Sequence, residues 1–114
     1  MVKLHMERRR FKRIDFNLDG ELISNNKSYM VFTKNLSQNS IHLSTLLAKT
    51  SIDFNSEADL ELKIKSPSGK TLNLLCETLW LHSYKTPAHG LTNNMCVKII
   101  NPPSKYIEFL KTLH

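Results

Sequence analysis

The chain has 114 residues, of which 40% are hydrophobic and 23% charged, and these proportions are those of one ordinary globular domain rather than of a disordered or fibrous protein. Sixteen lysines and arginines against ten acidic residues give a formal net charge of +6, which favours anionic partners. The sequence has no apolar run of the roughly 18 residues that a membrane-spanning helix needs, no apolar segment typical of a signal peptide, and two cysteines without a CxxC pair, so we expect a cytoplasmic protein with reduced thiols.

The first predicted element is a basic segment, "ERRRFKR", at residues 7–13. Five of its last six residues are cationic, and four of these five are arginines. Because the segment is polar and offers little for a core, we expect residues 1–13 to form a flexible basic arm. The arm precedes a single predicted domain that spans residues 14–114.

Alternation of apolar and polar residues predicts the strands that follow the arm. The pattern is clearest at "ADLELKIK", where Leu60, Leu62 and Ile64 would face a core and the residues between them would face water. The same alternation occurs in "RIDFNLDGELI", "SYMVFTK" and "SIHLSTL". We therefore predict four half-buried strands up to residue 65, with turn residues at "SNNK" and "SPSGK".

A fifth strand is predicted in "TLNLLCETLWLHS", which is apolar on both faces. Its alternation places Trp80 on the same face as Leu74 and Cys76, as in a strand that crosses between the core and a covered surface. The segment "NMCVKII" predicts a sixth strand.

The last predicted element is a helix in "NPPSKYIEFLKTLH", because Tyr106, Leu110 and Leu113 recur at helical spacing. Asn101 is the predicted N-cap, and the two prolines suit the first turn. We expect this helix to span residues 103–113 and to pack its apolar face inward. Six short strands and one terminal helix predict a mainly β fold, either a small antiparallel barrel or a closed sandwich.

The residue types that carry catalysis or bind metals form no recognisable pattern in this sequence. It contains no nucleophile paired with a base, no glycine-rich phosphate loop and no HExxH motif. The five histidines are scattered and give none of the close ligand pairs that zinc sites use. We therefore expect a protein that is not an enzyme and that uses neither a metal nor a cofactor.

The arginines of the basic arm have three possible interpretations: a solvated tail, a nonspecific contact with nucleic acid, or half of a site for a particular anion. Taken alone, such a run is more often one of the first two. Guanidinium, however, offers a planar fork for paired hydrogen bonds to phosphate or to a guanine edge, which ammonium does not. The excess of arginine over lysine therefore favours the specific site.

A second motif, "NLSQNSIHL", begins 22 residues after the end of the arm. Together the two segments resemble the PilZ domain, a bacterial receptor module for the second messenger cyclic di-GMP. The family pattern is RxxxR before the first strand of a six-stranded barrel, followed by [D/N]xSxxG at the start of a later strand. Arg9 and Arg13 match RxxxR, and Asn35 and Ser37 match the first two positions of the second motif. Ser40 stands where the family has glycine.

The resemblance extends to the tryptophan-bearing "ETLWL" strand, to the final helix, and to a closing "CVKI" strand in which Cys96 replaces a second family glycine. It implies a six-stranded antiparallel PilZ-type barrel with a C-terminal helix. It also implies a non-enzymatic receptor or adaptor that binds cyclic di-GMP, changes the conformation of its arm, and regulates a partner protein in a motility, pilus or biofilm pathway. The ligand-binding residues that the resemblance implies are Arg8, Arg9, Arg10, Arg13, Asn35, Ser37, Ser40 and Trp80.

The serine at position 40 has two possible consequences. If its φ is positive, a side chain there carries a conformational cost of about 1 to 2 kcal/mol. If its φ is negative, the only obstacle is the hydroxymethyl group, which stands where a glycine would let the ligand approach the backbone. Both cases predict weakened but not abolished binding.

Two alternative functions remain open from the sequence. The first is a PilZ-fold adaptor that no longer binds cyclic di-GMP and acts through protein contacts, which Ser40 and Cys96 favour and the intact arginines do not. The second is a small basic barrel that binds single-stranded nucleic acid, which the net charge permits. The lack of clustered exposed aromatic residues on the strands argues against the second alternative.

Overall fold

The computed structural model describes residues 13–24, 26–45, 59–86 and 90–113. Within these ranges the chain forms seven strands and one helix. They are β1 (Ile14–Asp15), β2 (Asp19–Ser24), β3 (Lys27–Leu36), β4 (Ser40–Thr45), β5 (Leu60–Lys65), β6 (Thr71–Thr86), β7 (Gly90–Ile99) and α1 (Ser104–Lys111). No helix in the described ranges is long and apolar enough to cross a membrane.

The strands form one antiparallel sheet in the order β1-β3-β2-β5-β6-β7-β4, and β4 also pairs with β3. This last pairing joins the two sides of the sheet, so that β2 to β7 make a closed six-stranded barrel and β1 is an additional strand on β3. The prediction of a mainly β, six-stranded antiparallel barrel with a C-terminal helix is confirmed.

The segment predicted as a single first strand is in fact divided into β1 and β2. The hydroxyl of Thr33 donates a hydrogen bond to the carbonyl of Phe16 at 2.7 Å and accepts one from the amide of Leu18 at 2.8 Å. These bonds replace part of the ladder that would otherwise pair residues 16–18 with β3. A side chain on β3 therefore interrupts a strand whose sequence alternates without a break.

The core of the barrel follows the predicted alternation. Leu60, Leu62 and Ile64 are completely buried, while the residues between them are exposed or half-buried. The helix adds Tyr106 and Leu110 to the same core. Burial of these apolar side chains is the main force that holds the barrel closed.

The prediction that Trp80 shares a face with Cys76 is wrong. Cys76 is completely buried, whereas Trp80 is 46% exposed. The ladder between β6 and β7 shifts between Thr78 and Trp80, so that Leu79 is an extra residue in β6. Such a β-bulge reverses which face the following side chains occupy.

The helix is shorter than predicted and is not capped by Asn101. It spans Ser104–Lys111, and its N-cap residue is Pro103, which makes no side-chain capping hydrogen bond. Asn101 lies two residues before this cap with a φ of 48°, a left-handed conformation that asparagine tolerates better than most residues. It therefore turns the chain from β7 towards α1 instead of capping the helix.

Candidate functional site

The pairing of β1 with β3 brings together the two motifs that the sequence analysis singled out. Ile14 lies opposite Leu36, and Asp15 lies opposite Asn35. Arg13 directly precedes this pair and is exposed, so it joins the barrel beside the turn that follows β3. The last residue of RxxxR and the first residue of the second motif are therefore close together on one short ladder.

Four side chains form a line across the outside of the barrel, which we call the central row. Asn35 on β3 lies opposite His42 on β4, His42 lies opposite Cys96 on β7, and Cys96 lies opposite Trp80 on β6. Directly opposed residues in antiparallel strands project to the same face. Since the neighbours of His42 on both sides are buried in the core, that face is the outer one.

A β-bulge lies beside each end of the central row. Lys34 is the extra residue in β3, and Leu79 is the extra residue in β6. Bulges commonly occur beside functional sites, because they redirect a side chain without changing the rest of the sheet. Here they direct Asn35 and Trp80 outward, although simple alternation would place Trp80 inside.

The imidazole of His42 lies against the indole of Trp80. The two ring centroids are 5.2 Å apart, and the planes meet at 65° in an edge-to-face arrangement. The Nε2 atom of His42 is buried and has no hydrogen-bond partner among the residues that the structure describes. Burial lowers the pKa of His42 below its usual value, and the positive charges of Lys34 and Arg13 lower it further.

The two cysteines differ in environment, and neither forms a disulfide. Cys76 lies in the core, where burial raises its pKa to about 12. Cys96 is half-buried in the central row; burial raises the pKa of its thiol, and the charge of Arg13 partly opposes this. Arg13 is therefore close enough to act electrostatically on both His42 and Cys96.

The turn between β3 and β4 is organised by Ser37. This residue is buried, and its amide donates a hydrogen bond to the carbonyl of Ser40 at 2.8 Å. Its hydroxyl oxygen accepts one from the amide of Ser40 at 3.1 Å and lies 2.9 Å from the Ser40 hydroxyl and 3.1 Å from Oδ1 of Asn39. Ser37 therefore shapes the turn through local side-chain bonds, as serine commonly does.

Ser40 is half-buried at the start of β4. Among the described residues other than glycine, only Asn26 and Asn101 have a positive φ. Neither Ser40 nor Asn39 is therefore in the left-handed region, so the serine carries no conformational strain there. Of the two consequences considered above, only the steric one applies.

Three of the predicted ligand residues, Arg8, Arg9 and Arg10, lie outside the described residues. The other five meet in one region: Arg13, Asn35, Ser37 and Ser40 around the β3–β4 turn, and Trp80 at the opposite end of the central row. The sequence analysis missed His42. Its position in "SIHLS", two residues after Ser40 on the polar face of a predicted strand, was the signal that could have found it.

An open groove of about 920 Å³ lies elsewhere, between the turn at residues 66–70 and α1. Lys70, Lys105 and Glu108 line it beside apolar side chains. None of the five predicted ligand residues that the structure describes lines this groove. Its lysines are therefore suitable control positions for substitutions away from the central row.

Comparison with known proteins gives one family and several similar folds. A family model described as the PilZ domain matches residues 7–110. A search of curated protein sequences finds no match. Among solved structures, the inhibitor of motility of Bacillus subtilis (MotI/DgrA) has a TM-score of 0.67 at 18% identity, covering 93% of this chain and 49% of that one.

Two further solved structures contain cyclic di-GMP. The PilZ domain of YcgR from Escherichia coli has a TM-score of 0.67 at 11% identity, covering 93% of this chain and 88% of that one. PlzA of Borreliella burgdorferi has a TM-score of 0.62 at 13% identity, covering 97% of this chain and 55% of that one. The chain thus spans about half the length of the MotI and PlzA chains. At these identities the likeness concerns the fold.

Proposed function

The chain belongs to the PilZ domain family, and from this membership we propose that it is a receptor for cyclic di-GMP that binds the ligand between its basic arm and the central row. YcgR and PlzA, which have similar folds, have been solved with this ligand. The receptor function is non-enzymatic, since the ligand is bound and not converted.

The observation that carries this proposal is the register of β1 on β3. It brings Arg13 to the end of β3, where Asn35 lies, and to the turn at Ser37 that follows, although the two motifs are 22 residues apart in the sequence. Cyclic di-GMP has two phosphodiester charges and two guanines. A site for it needs cations with a fixed hydrogen-bonding geometry and flat surfaces for the bases, and this region supplies both.

Each residue has a role that follows from its chemistry. Arg13 and the three other arginines of the arm bind phosphate oxygens and the guanine edge O6 and N7 in pairs of hydrogen bonds. Asn35 offers an amide that accepts from the guanine N1 or N2 groups. Trp80 offers an exposed indole on which a base stacks. Ser37 and Ser40 fix the turn that positions Asn35.

The signal that such a receptor gives is a change in its own surface. We propose that the arm folds over the ligand, where charge-assisted hydrogen bonds offset the entropy lost on ordering. The new surface is then recognised by a partner protein whose activity it regulates. Limited proteolysis with and without ligand tests this step, because an ordered arm is cleaved more slowly.

Isothermal titration calorimetry with cyclic di-GMP tests the site itself. Arg13→Ala and Asn35→Ala should each weaken binding, and the arginine variant should lose about 1.5 to 3 kcal/mol, which is more than tenfold in affinity. Lys105→Ala is the matched control, since it removes an exposed cation on α1 away from the central row. Equal affinity in wild type, Arg13→Ala and Asn35→Ala would remove this face from the site.

The same titration separates the alternative functions. Wild type that gives no heat at high micromolar cyclic di-GMP supports the adaptor that acts through protein contacts alone. Binding of a single-stranded oligonucleotide with a steep salt dependence and no sequence preference supports the nucleic-acid function instead.

A further inference from the structure

His42 occupies the middle of the central row, yet none of the roles above uses it. It lies directly opposite Asn35 on one side and Cys96 on the other. Its ring also contacts the edge of Trp80. Any ligand that spans Asn35 and Trp80 must therefore pass over or beside this imidazole.

The ring has an unused hydrogen-bonding atom. Nε2 of His42 is buried and has no partner among the described residues. A buried polar atom without a partner is unfavourable relative to a satisfied one, and most such atoms in folded proteins have a partner. The unsatisfied nitrogen is therefore a place where an incoming acceptor or donor gains a bond that the empty site lacks.

Burial disfavours the charged form of the His42 ring in the empty site. The positive charges of Lys34 and Arg13 add to this effect, so that the pKa of His42 is lowered. Two cations beside a neutral imidazole are an arrangement that an anion would change, because a nearby negative charge favours the imidazolium form.

In the part of the chain that the structure describes, the other charged or titratable groups on the outer face around His42 are Asp15 from β1, Cys96 and Lys98 from β7, and Glu77 and His82 from β6. Lys98 and Glu77 pair with each other at 3.8 Å. The thiol of Cys96 stays neutral because its pKa is raised. Asn35 lies between Asp15 and His42. The positive charges of Arg13 and Lys34 therefore dominate the electrostatic surroundings of the His42 ring.

We propose that His42 is a further ligand-binding residue of this site and that it binds a phosphodiester oxygen of the ligand as an imidazolium ion. This inference rests on the proposed function. The phosphodiester supplies the negative charge that is missing in the empty site, and the protonated ring donates the hydrogen bond for which Nε2 has no partner. Trp80, nearly half exposed, shifts when a base stacks on it and opens the way to Nε2.

The sign of the pH dependence follows from linkage. The pKa of His42 is low in the empty protein and rises when the anion is bound, so binding takes up a proton between these two values. Affinity therefore increases as the pH falls through the pKa of the complex, and it levels off below the pKa of the empty protein. Each unit of difference between the two pKa values gives about a tenfold change in affinity. Phosphodiester groups keep their charge throughout this range.

The test is calorimetry with cyclic di-GMP between pH 5.5 and pH 8, in buffers of different ionisation enthalpy so that proton uptake is counted directly. Wild type should bind about tenfold more tightly at the acidic end, and it should take up a proton on binding at pH values between the two pKa values. His42→Gln should bind at all pH values, but its affinity should not increase at acidic pH. His42→Arg, with its permanent charge, should bind tightly at all pH values, and its affinity should not depend on pH either. His82→Gln is the matched control, because His82 lies on the same outer face against Tyr84 and should keep the wild-type profile.

Fluorescence of Trp80 shows whether the variants are folded and whether the two rings remain in contact. Trp80 is the only tryptophan, and an imidazolium in contact with it quenches its emission, so the difference between wild type and His42→Gln in a pH titration without ligand reports on His42. The proposal is overturned if wild type binds with no proton uptake, or if His42→Gln keeps the wild-type pH profile. If neither wild type nor any of these variants binds cyclic di-GMP at any pH, the proposed function is wrong, and this inference, which rests on it, is wrong as well.

Discussion

The hydroxyl of Tyr106 on α1 donates a hydrogen bond of 2.6 Å to the carbonyl oxygen of Ser37, 69 residues earlier in the chain. Both residues are buried. Burial raises the pKa of the Tyr106 hydroxyl, and the neighbouring Cys76 raises it further, so the phenol remains a donor at physiological pH. The C-terminal helix is therefore bonded directly to the turn that positions the candidate site.

Replacing Tyr106 by phenylalanine should destabilise the fold while keeping the ring in the core. The change removes one donor and leaves the buried carbonyl of Ser37 without it, which costs about 1 to 3 kcal/mol. The midpoint of urea unfolding measures this loss. Tyr84→Phe is the control: its hydroxyl accepts a bond from Asn94 at 3.1 Å in an exposed position, and its loss should change stability by less than about 0.5 kcal/mol. Equal effects of the two variants would contradict the structural role given to Tyr106.

A second prediction on stability concerns Gly20 in β2, which lies opposite Ile64 of β5. A Cβ atom at this position would stand 2.8 Å from the backbone oxygen of Lys63 and 3.1 Å from Cγ2 of Ile64. The backbone oxygen of Lys63 can move away only by distorting the sheet. Gly20→Ala should therefore destabilise the barrel by about 1 to 3 kcal/mol. Asn73→Ala, an exposed change on β6, is the control for urea unfolding. A Gly20→Ala protein as stable as wild type would show that the β2–β5 contact is looser than described.

Much of this fold is predictable because the core depends on local alternation. Leu60, Leu62 and Ile64 are buried as their spacing predicts, and the family resemblance supplies the barrel. The failures in the strands have one physical cause, which is that strand register is set between distant segments. The hydroxyl of Thr33 divides the first predicted strand, and the extra residue Leu79 reverses the face of Trp80.

The candidate site shows the same division between local and distant information. Arg13, Asn35 and Ser37 can be predicted as ligand residues from motifs, because each motif is contiguous, and that role stays a prediction. His42 was missed because its place in the central row comes from its partners across two ladders, Asn35 and Cys96, and its position on the polar face of a predicted strand is only a weak local signal. Which residues lie opposite one another is decided by the whole barrel, so sequence alone does not reveal the central row.

The site is predicted to distinguish guanidinium from ammonium. If Arg13 binds phosphate and a guanine edge with a planar fork, Arg13→Lys should lose nearly as much affinity for cyclic di-GMP as Arg13→Ala, because lysine keeps the charge but not the geometry. Calorimetry at constant salt measures both. A lysine variant that binds like wild type would mean that the basic arm acts as a general electrostatic patch.

Ser40→Gly should tighten ligand binding by up to about tenfold, or roughly 1.4 kcal/mol. Since the backbone there is not in the left-handed region, the gain comes from removing the hydroxymethyl group and not from relieving strain. The same change removes the contact between the Ser40 and Ser37 hydroxyls and frees the unfolded chain, so stability should fall by about 1 kcal/mol. In calorimetry, the affinity of Ser40→Ala, which keeps Cβ, should lie between the affinities of wild type and Ser40→Gly. A glycine variant with unchanged affinity would place the ligand away from this turn.

Cys96 offers a test of the site that needs no mutation. Its half-buried thiol lies between His42 and Trp80 in the central row, so a bound ligand should cover it. Alkylation of Cys96, followed by mass spectrometry, should slow when cyclic di-GMP is present, by up to about 100-fold at a ligand concentration of 100 times the dissociation constant, because only the unoccupied fraction reacts. Cys76 is the internal control: it is completely buried with a pKa of about 12, so its thiolate is scarce and its reaction requires unfolding. Without ligand Cys96 should react faster than Cys76, which shows that Cys96 reacts from the folded protein and not through unfolding. Slowing of this folded-state reaction by the ligand is then protection by coverage, whereas an unchanged rate at Cys96 in a protein that binds would move the ligand off the central row.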